Sequence, residues 1–403
     1  MQAKGNPIIF TNGDNDTFPL WYNMDTEGLR TDARVCNLSY LQTDWYIDQM
    51  KRPAYTSPSL PIKWKRIDYV SGTNEYIQID PTIGNQIDSL YTHSPEDAAK
   101  YRAVLGANPN EINTIFKNWV HNSNDNMHVI PTDSIIMNVD KKAVERSGMC
   151  IPKGATIPDN MVISLKGKKA LYKSELMMLE LLKNSNWTRP LYIAITVGTE
   201  NRLGMDNHFI QEGLAYRFTP FDNAKTGVTV DTKKMYDNMM HKFRYGGIDK
   251  RGIYLDENVM RMCYTHRRVF SQLIVALMQE GQKAKALAAL NYCEKVIPEY
   301  NIPYDFQNGA VQMAEAYYQL GKRANGDHIM LALASKSVEY LNWYLSMGIQ
   351  QIAVSAQEIE YNLALLDQEV KLMNKYNSNL SKQYTMQLNT IYSKYARFMK
   401  SAQ

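Results

Sequence analysis

The chain reads as an α/β domain over residues 1–230 followed by an all-α domain over 231–403. Short apolar runs alternate with helix-like segments through the first half, and the texture changes around Asp222–Asp231. From Thr232 onward apolar residues recur only at helical spacing. A length of 403 residues also exceeds one ordinary core.

The first strand is Ile8–Thr11, and a helix is predicted over Phe18–Glu27. Arg34-Val35-Cys36-Asn37-Leu38 is the second strand, followed by a helix over Thr43–Met50 with a Thr or Asp cap. Two adjacent strand–helix units favour parallel pairing, hence a Rossmann-like, mostly parallel sheet with flanking helices. Residues 52–130 read as an irregular excursion. It holds a Pro-rich connector, a hairpin of Ile67–Val70 with Tyr76–Ile79, and helices around Ala98–Leu105 and Glu111–Val120. Ser134–Val139 and Met161–Leu165 return to strand character. A Ser-capped amphipathic helix begins at Ser174 and ends near Asn184-Ser185-Asn186. Pro190–Val197 is continuously apolar, which suits a strand buried on both faces, and Leu214–Phe218 reads as an edge strand.

In the second domain a helix ends at Gly281, and Lys283–Val296 carries Ala286, Leu290 and Cys293 on one stripe before Pro298. Helix, glycine, helix and terminal proline is a tetratricopeptide-like pattern. Ala310–Gly321 opens a second pair that departs from it at Gly326, where an alanine would pack. Val338–Leu345 and Ala353–Met399 read as long helices. Such hairpins bind other chains or brace their own domain more than they do chemistry.

The net charge of +4 excludes a strongly basic nucleic-acid binder. No run approaches the ~18–20 apolar residues of a membrane span, and the start has no apolar core of a signal peptide. Cys36, Cys150, Cys263 and Cys293 form no CxxC pair and are expected to be buried free thiols. The histidines make no HExxH or clustered pair, so no histidine metal site is expected, and the missing GxSxG, P-loop and GxGxxG signatures remove the commonest hydrolase, nucleotidase and dehydrogenase signals.

The densest polar feature is Asn12-Gly13-Asp14-Asn15-Asp16, directly after the first strand. In α/β sheets, ligands bind outside the carboxyl ends of strands. One reading has Asp14 and Asp16, helped by Asn12 and Asn15, hold a divalent cation or the hydroxyls of a polar substrate. The other has Thr17 cap the helix while the Asp and Asn side chains satisfy turn amides. The second unit offers Thr43, Asp44, Trp45 and Tyr46 at an equivalent strand end. If the strands are neighbours, both loops line one rim, where Trp21, Trp45 and Tyr46 would stack on a sugar ring or else pack in the core.

Phe10-Thr11-Asn12-Gly13-Asp14-Asn15-Asp16-Thr17-Phe18-Pro19-Leu20-Trp21-Tyr22 and Thr43-Asp44-Trp45-Tyr46-Ile47-Asp48-Gln49-Met50 also carry a resemblance. So do Asn186-Trp187-Thr188-Arg189-Pro190-Leu191-Tyr192, Glu212-Gly213-Leu214-Ala215-Tyr216-Arg217, Lys242-Phe243-Arg244-Tyr245-Gly246-Gly247 and Tyr254-Leu255-Asp256-Glu257-Asn258. Together they resemble large multi-pass bacterial membrane proteins of the protein O-mannosyltransferase-like glycosyltransferase family, whose domain is of unknown function. The resemblance implies a soluble C-terminal portion on the periplasmic face of the inner membrane, using a polyprenyl-phosphosugar donor. The catalytic carboxylate would lie in a membrane-spanning N-terminal half outside this chain, so no catalytic residue is carried over. Implied partners are that N-terminal half, an acceptor polypeptide or glycan, and another envelope protein through the helical domain. Two alternatives stand beside it: a non-catalytic envelope scaffold, and a stand-alone enzyme using a cation at Asp14 and Asp16.

Overall fold

The computed structural model describes residues 5–401 except 95, 97–98, 100–107 and 125–126, so the helix expected at Ala98–Leu105 lies outside the described residues. The chain divides into two compact units, Met1–Asp231 and Thr232–Gln403. The first is α/β and the second is helical, as the sequence predicts.

The strands of the first unit are β1 (Ile8–Thr11), β2 (Arg34–Asn37), β3 (Tyr76–Gln78), β4 (Ser134–Asn138), β5 (Asn160–Ser164), β6 (Ala170–Tyr172), β7 (Leu191–Ala194), β8 (Phe209–Gln211) and β9 (Ala215–Phe218). The main sheet runs β2-β1-β7-β9-β8. It is parallel across β2-β1-β7 and antiparallel across β7-β9-β8, so the sheet is mixed. Central β7 is buried at every position, as its unbroken apolar run requires. The β1–β2 register ends on Thr11↔Asn37, which brings both carboxyl ends to one rim.

Non-local pairing overrides several local expectations. Ile67–Val70 forms no hairpin: Arg66–Asp68 is a short 3-10 turn, and β3 pairs antiparallel with the distant β6. β4 and β5 pair with each other outside the main sheet. The Leu214–Phe218 segment is not an edge, because β8 covers β9.

The first helix, α1 (Asp14–Glu27), starts earlier than predicted and places Pro19 in its interior. Gly13, at φ 75°, supplies the left-handed backbone for the abrupt strand-to-helix turn. Asp14 and Asp16 then lie in the first turn, where the helix dipole favours negative charge. The second helix, α2 (Asp44–Met50), has Thr43 at its N-cap but no side-chain cap, because Thr43 Oγ1 donates to Tyr40 O at 2.7 Å. Next come α3 (Pro81–His93) and α4 (Lys173–Ser185). The latter is capped by a box in which Tyr172 N donates to Glu175, rather than by Ser174.

The helical unit contains α5 (Glu257–Gln279), α6 (Lys283–Val296), α7 (Ala310–Gln319), α8 (Arg323–Tyr344), α9 (Ala356–Lys375) and α10 (Ser381–Ser401). The α5–α6 and α7–α8 turns are the same device. Gln282 N donates to Leu277 O at 2.8 Å in one, and Lys322 N donates to Tyr317 O at 2.9 Å in the other. Gly281 and Gly321 sit at φ 73° and 72°. Gly326, which breaks the repeat pattern, has a packing reason. A Cβ there would lie 2.6 Å from Cε1 of Tyr318, whose hydroxyl donates to Asp327 Oδ1 at 2.8 Å. Among the described residues no helix is long and apolar enough to cross a membrane; Cys36, Cys263 and Cys293 are buried free thiols, whereas Cys150 is half-buried.

Candidate functional site

The parallel β1–β2 register joins the two strand-end segments through side chains. Thr11, Thr17 and Asn37 are fully buried. Thr17 Oγ1 donates to Gly13 O at 2.7 Å, so its single proton is used there. Thr11 Oγ1, 2.8 Å away, must therefore donate to Thr17, and Asn37 Nδ2 donates to the same oxygen at 2.8 Å. Asn37 Oδ1 accepts from Tyr40 N at 3.1 Å, which fixes the chain leaving β2. Above this buried layer Ser39 Oγ donates to Asn12 Oδ1 at 2.7 Å, and Asn12 N approaches Asp16 Oδ2 at 3.4 Å. The inner layer thus locks both segments together, while Asp14 and Asn15 remain exposed and Asp16 half-buried.

An aromatic row runs beside this rim. Phe18 and Trp21, one helical turn apart, have ring centroids 5.7 Å apart with planes 27° from parallel. Trp21 and Tyr40 follow at 6.4 Å and 21°, and Tyr40 and Trp45 at 5.9 Å and 47°. Near-parallel planes at such separations are offset rather than face to face, which leaves part of each face open. Trp21 and Tyr40 pack on the core and anchor the row. Phe18 and Trp45, at its ends, are 46% and 54% exposed.

The sequence-predicted residues therefore separate into two groups. Asn12, Asp14, Asn15, Asp16, Trp21 and Trp45 lie along the rim and its aromatic row. Tyr46 does not belong: it is 1% exposed, its hydroxyl accepts from Asn37 N at 3.0 Å and donates to Val35 O at 3.3 Å, and burial pushes its phenol upward. Tyr46 braces β2 from inside. Asp44 faces another neighbourhood. Its carboxylate is held below its ordinary pKa first by the Ser71 amide, with Arg66 Nη2 at 3.4 Å. Thr43 spends its hydroxyl on Tyr40 O. For the cation reading, Asp14 and Asp16 offer two carboxylates on one helical turn. Among the described residues no group of three or more His, Cys, Asp or Glu is placed to hold a metal.

A sequence profile described as TMEM260-associated domain 2 matches residues 1–238. The chain belongs to this family. No curated protein and no solved structure matches it. The TMEM260-associated domain 2 match takes in the whole α/β unit, including the rim and its aromatic row.

The same match contains a buried polar group that the sequence did not reveal as a unit. Tyr192 on β7 pairs in register with Arg217 on β9. Tyr192 Oη donates to Glu212 Oε2 at 2.8 Å, Arg217 Nη1 lies 3.6 Å from Glu212 Oε1, and Arg217 Nη2 donates to Ser147 O at 2.7 Å. Burial, then the Glu212 charge, push the Tyr192 phenol upward. Glu212 and Arg217 are 4% and 1% exposed. Tyr192 also packs with Ile9, Met24, Val35 and Ala215, the cluster on which Trp21 rests. The trio is thus an internal brace for the sheet face beneath the aromatic row. The signal available beforehand was the quoted motif Glu212–Arg217, whose two charged ends flank a strand. Arg34 and Arg189 are structural in the same sense. Arg34 donates to Gln49 O and Arg52 O, both at 2.9 Å, and Arg189 to Ser59 O at 3.1 Å and Ser57 Oγ at 2.9 Å. Cys36, whose thiol burial pushes up to about 12, is inert between them.

Proposed function

We propose that the α/β unit is the acceptor-binding part of an O-mannosyltransferase-like, polyprenyl-phosphosugar-dependent glycosyltransferase, working on the extracytoplasmic side of a membrane. Membership of the TMEM260-associated domain 2 family supports the link to such a transferase. The observation that carries the binding role is the offset aromatic row beside the β1–β2 rim. Sugar rings present C–H faces to aromatics and hydroxyls to carboxylates and carboxamides, and the rim sets both side by side. Phe18 and Trp45 would take the sugar faces, while Asp14, Asn15 and Asp16 would accept from hydroxyls. Bond-making is assigned elsewhere, to a membrane-embedded partner segment, as the resemblance to membrane-embedded glycosyltransferases implies.

This division of labour has a kinetic signature. In the membrane-bound protein that carries this domain, Asp14→Asn with Asp16→Asn is expected to raise the KM for acceptor about tenfold. Each Asn keeps an accepting oxygen, so the loss is only the excess of a charged over a neutral hydrogen bond, about 0.7 kcal/mol at each solvent-screened site, and kcat should stay unchanged because the loss is in binding rather than in the transition state. Glycosyl transfer assayed in membranes decides it. Unaltered KM at normal expression removes the turn from acceptor binding, and a fall in kcat alone would place the carboxylates in the chemistry.

A further inference from the structure

The helical unit holds a second candidate site, in a part of the chain beyond the matched residues 1–238. A cavity of 240 Å³ lies between α8, α9 and the turn before α7. Its lining includes Glu369, which is 2% exposed. Glu369 Oε1 accepts from Ser337 Oγ at 3.3 Å, and the buried Oε2 has no hydrogen-bond partner among the described residues. Burial pushes this carboxyl up to about 7, against the opposing effect of the Ser337 hydrogen bond. A buried acceptor without a donor is costly, so a donor arriving from outside is favoured.

The other charges narrow what that donor is. Asp305 and Lys336 are paired at 2.6 Å, and Asp305 Oδ1 also accepts from Gln307 N at 2.9 Å, so these two satisfy each other. The remaining lining charges are Glu369 and Glu358, both carboxylates, which repel an anion. Aromatic walls come from Tyr340 and Tyr361, the latter edge-on to Phe306 at 5.5 Å. Carboxylates among aromatic rings select a cation over a neutral hydroxyl. A guanidinium would bring five N–H groups to a floor with one open acceptor. The volume is below the ~300–1,000 Å³ taken by drug-sized ligands, which fits one slender alkylammonium chain. Tyr340 and Tyr361 are each 45% exposed, leaving an apolar ledge for a backbone flanking that chain.

We propose that this cavity receives the ammonium end of a lysine side chain from a polypeptide partner, with Glu369 at the floor, Tyr340 and Tyr361 along the methylenes, and Glu358 as the second carboxylate. The proposal is independent of the rim and of any sugar.

Calorimetry on the full chain tests it with three probes: acetyl-Gly-Lys-Gly-amide, its Nε-acetyl-lysine form, and n-butylamine. The lysine peptide is expected to bind, the acetylated peptide to show no binding at millimolar concentration, and n-butylamine to bind at least about tenfold more weakly, since it lacks the backbone resting on the ledge. Glu369→Gln is expected to weaken peptide binding about tenfold or more, as removal of a charged hydrogen-bond partner does. Glu358 is exposed, so Glu358→Gln leaves folding intact and is expected to weaken binding about threefold. Equal binding of the acetylated peptide, indifference to both substitutions, or no binding of any probe overturns the proposal. Equal affinity for n-butylamine overturns the polypeptide partner.

Discussion

Glu212→Ala is expected to lower the unfolding free energy of the α/β unit by about 4 kcal/mol, the range found when one partner of a buried ion pair is removed. The reason is the state of Arg217 after the change. At 1% exposure its guanidinium cannot reach water, and what remains is the hydrogen bond from Nη2 to Ser147 O at 2.7 Å. Tyr192 would lose its acceptor as well. Tyr192→Phe removes one charge-assisted hydrogen bond but leaves Glu212 beside Arg217, so its expected cost is smaller, about 2 kcal/mol. The ordering of the two variants therefore reports on the buried charge rather than on packing. Urea unfolding followed by far-ultraviolet circular dichroism checks it. A loss under about 1 kcal/mol for Glu212→Ala would mean that Arg217 is solvated or re-paired.

Arg267→Ala is expected to have a comparable effect on the helical unit, about 4 kcal/mol from orphaned carbonyls and the void left behind. Arg267 lies on α5 and is 1% exposed. Nη1 donates to Pro303 O at 2.8 Å, and Nη2 donates to Ile297 O at 2.8 Å and Ile302 O at 2.6 Å. Its guanidinium also sits 4.9 Å from the Tyr304 ring centroid. One side chain thereby fastens the whole connection between α6 and α7. Arg267→Lys keeps the charge, but a single ammonium cannot reproduce the planar fork, so about half the loss is expected to remain. Thermal unfolding monitored by helical dichroism separates the variants. Equal stability of wild type and Arg267→Ala would show that this connection holds without the arginine.

The parts of the fold that were legible in the sequence are those where local pattern and tertiary environment agree. β7 announces itself because a strand buried on both faces needs an unbroken apolar run. β1 and β2 read correctly, and their neighbourhood brought Asn12, Asp14, Asp16 and Trp21 into the candidate rim. The start of α1 was obscured because its crowded Asp and Asn residues resemble a turn, although acidic residues also suit a helix N-terminus. Pro19 points in the same direction, since proline favours the first helical turn yet lies here in the helix interior. The β3–β6 pairing was out of reach, since nothing local in Tyr76–Gln78 specifies Ala170–Tyr172 as its partner.

Side-chain roles were legible only where backbone position decides them. Trp45 and Tyr46 are adjacent in sequence and share a chemistry, yet one is 54% exposed and the other 1%. Helix phase made that difference. Phe18 and Tyr40 escaped notice because their part in the row depends on how α1 meets the segment after β2, which the Thr11↔Asn37 register sets. Glu212, Arg217 and Arg267 carry charges that ordinarily mark a solvated surface, and only the fold reveals that each is enclosed.

The binding role of the rim comes down to whether it takes a sugar-bearing chain. An O-mannosylated Ser/Thr peptide and its unglycosylated twin, titrated into the full chain while tryptophan emission is followed, decide it. Trp343, 55% exposed in the helical unit, is replaced by Phe so that the exposed indole reporting on binding is Trp45. The mannosylated peptide is expected to shift the emission and bind at least about tenfold more tightly than its twin, with Phe18→Ala, followed by emission, and Trp45→Ala, followed by calorimetry because it removes the reporting indole, each weakening that preference by the ~0.5–1.5 kcal/mol of a lost aromatic contact. Identical titrations for both peptides, or a sugar preference untouched by both substitutions, would contradict a carbohydrate-binding rim.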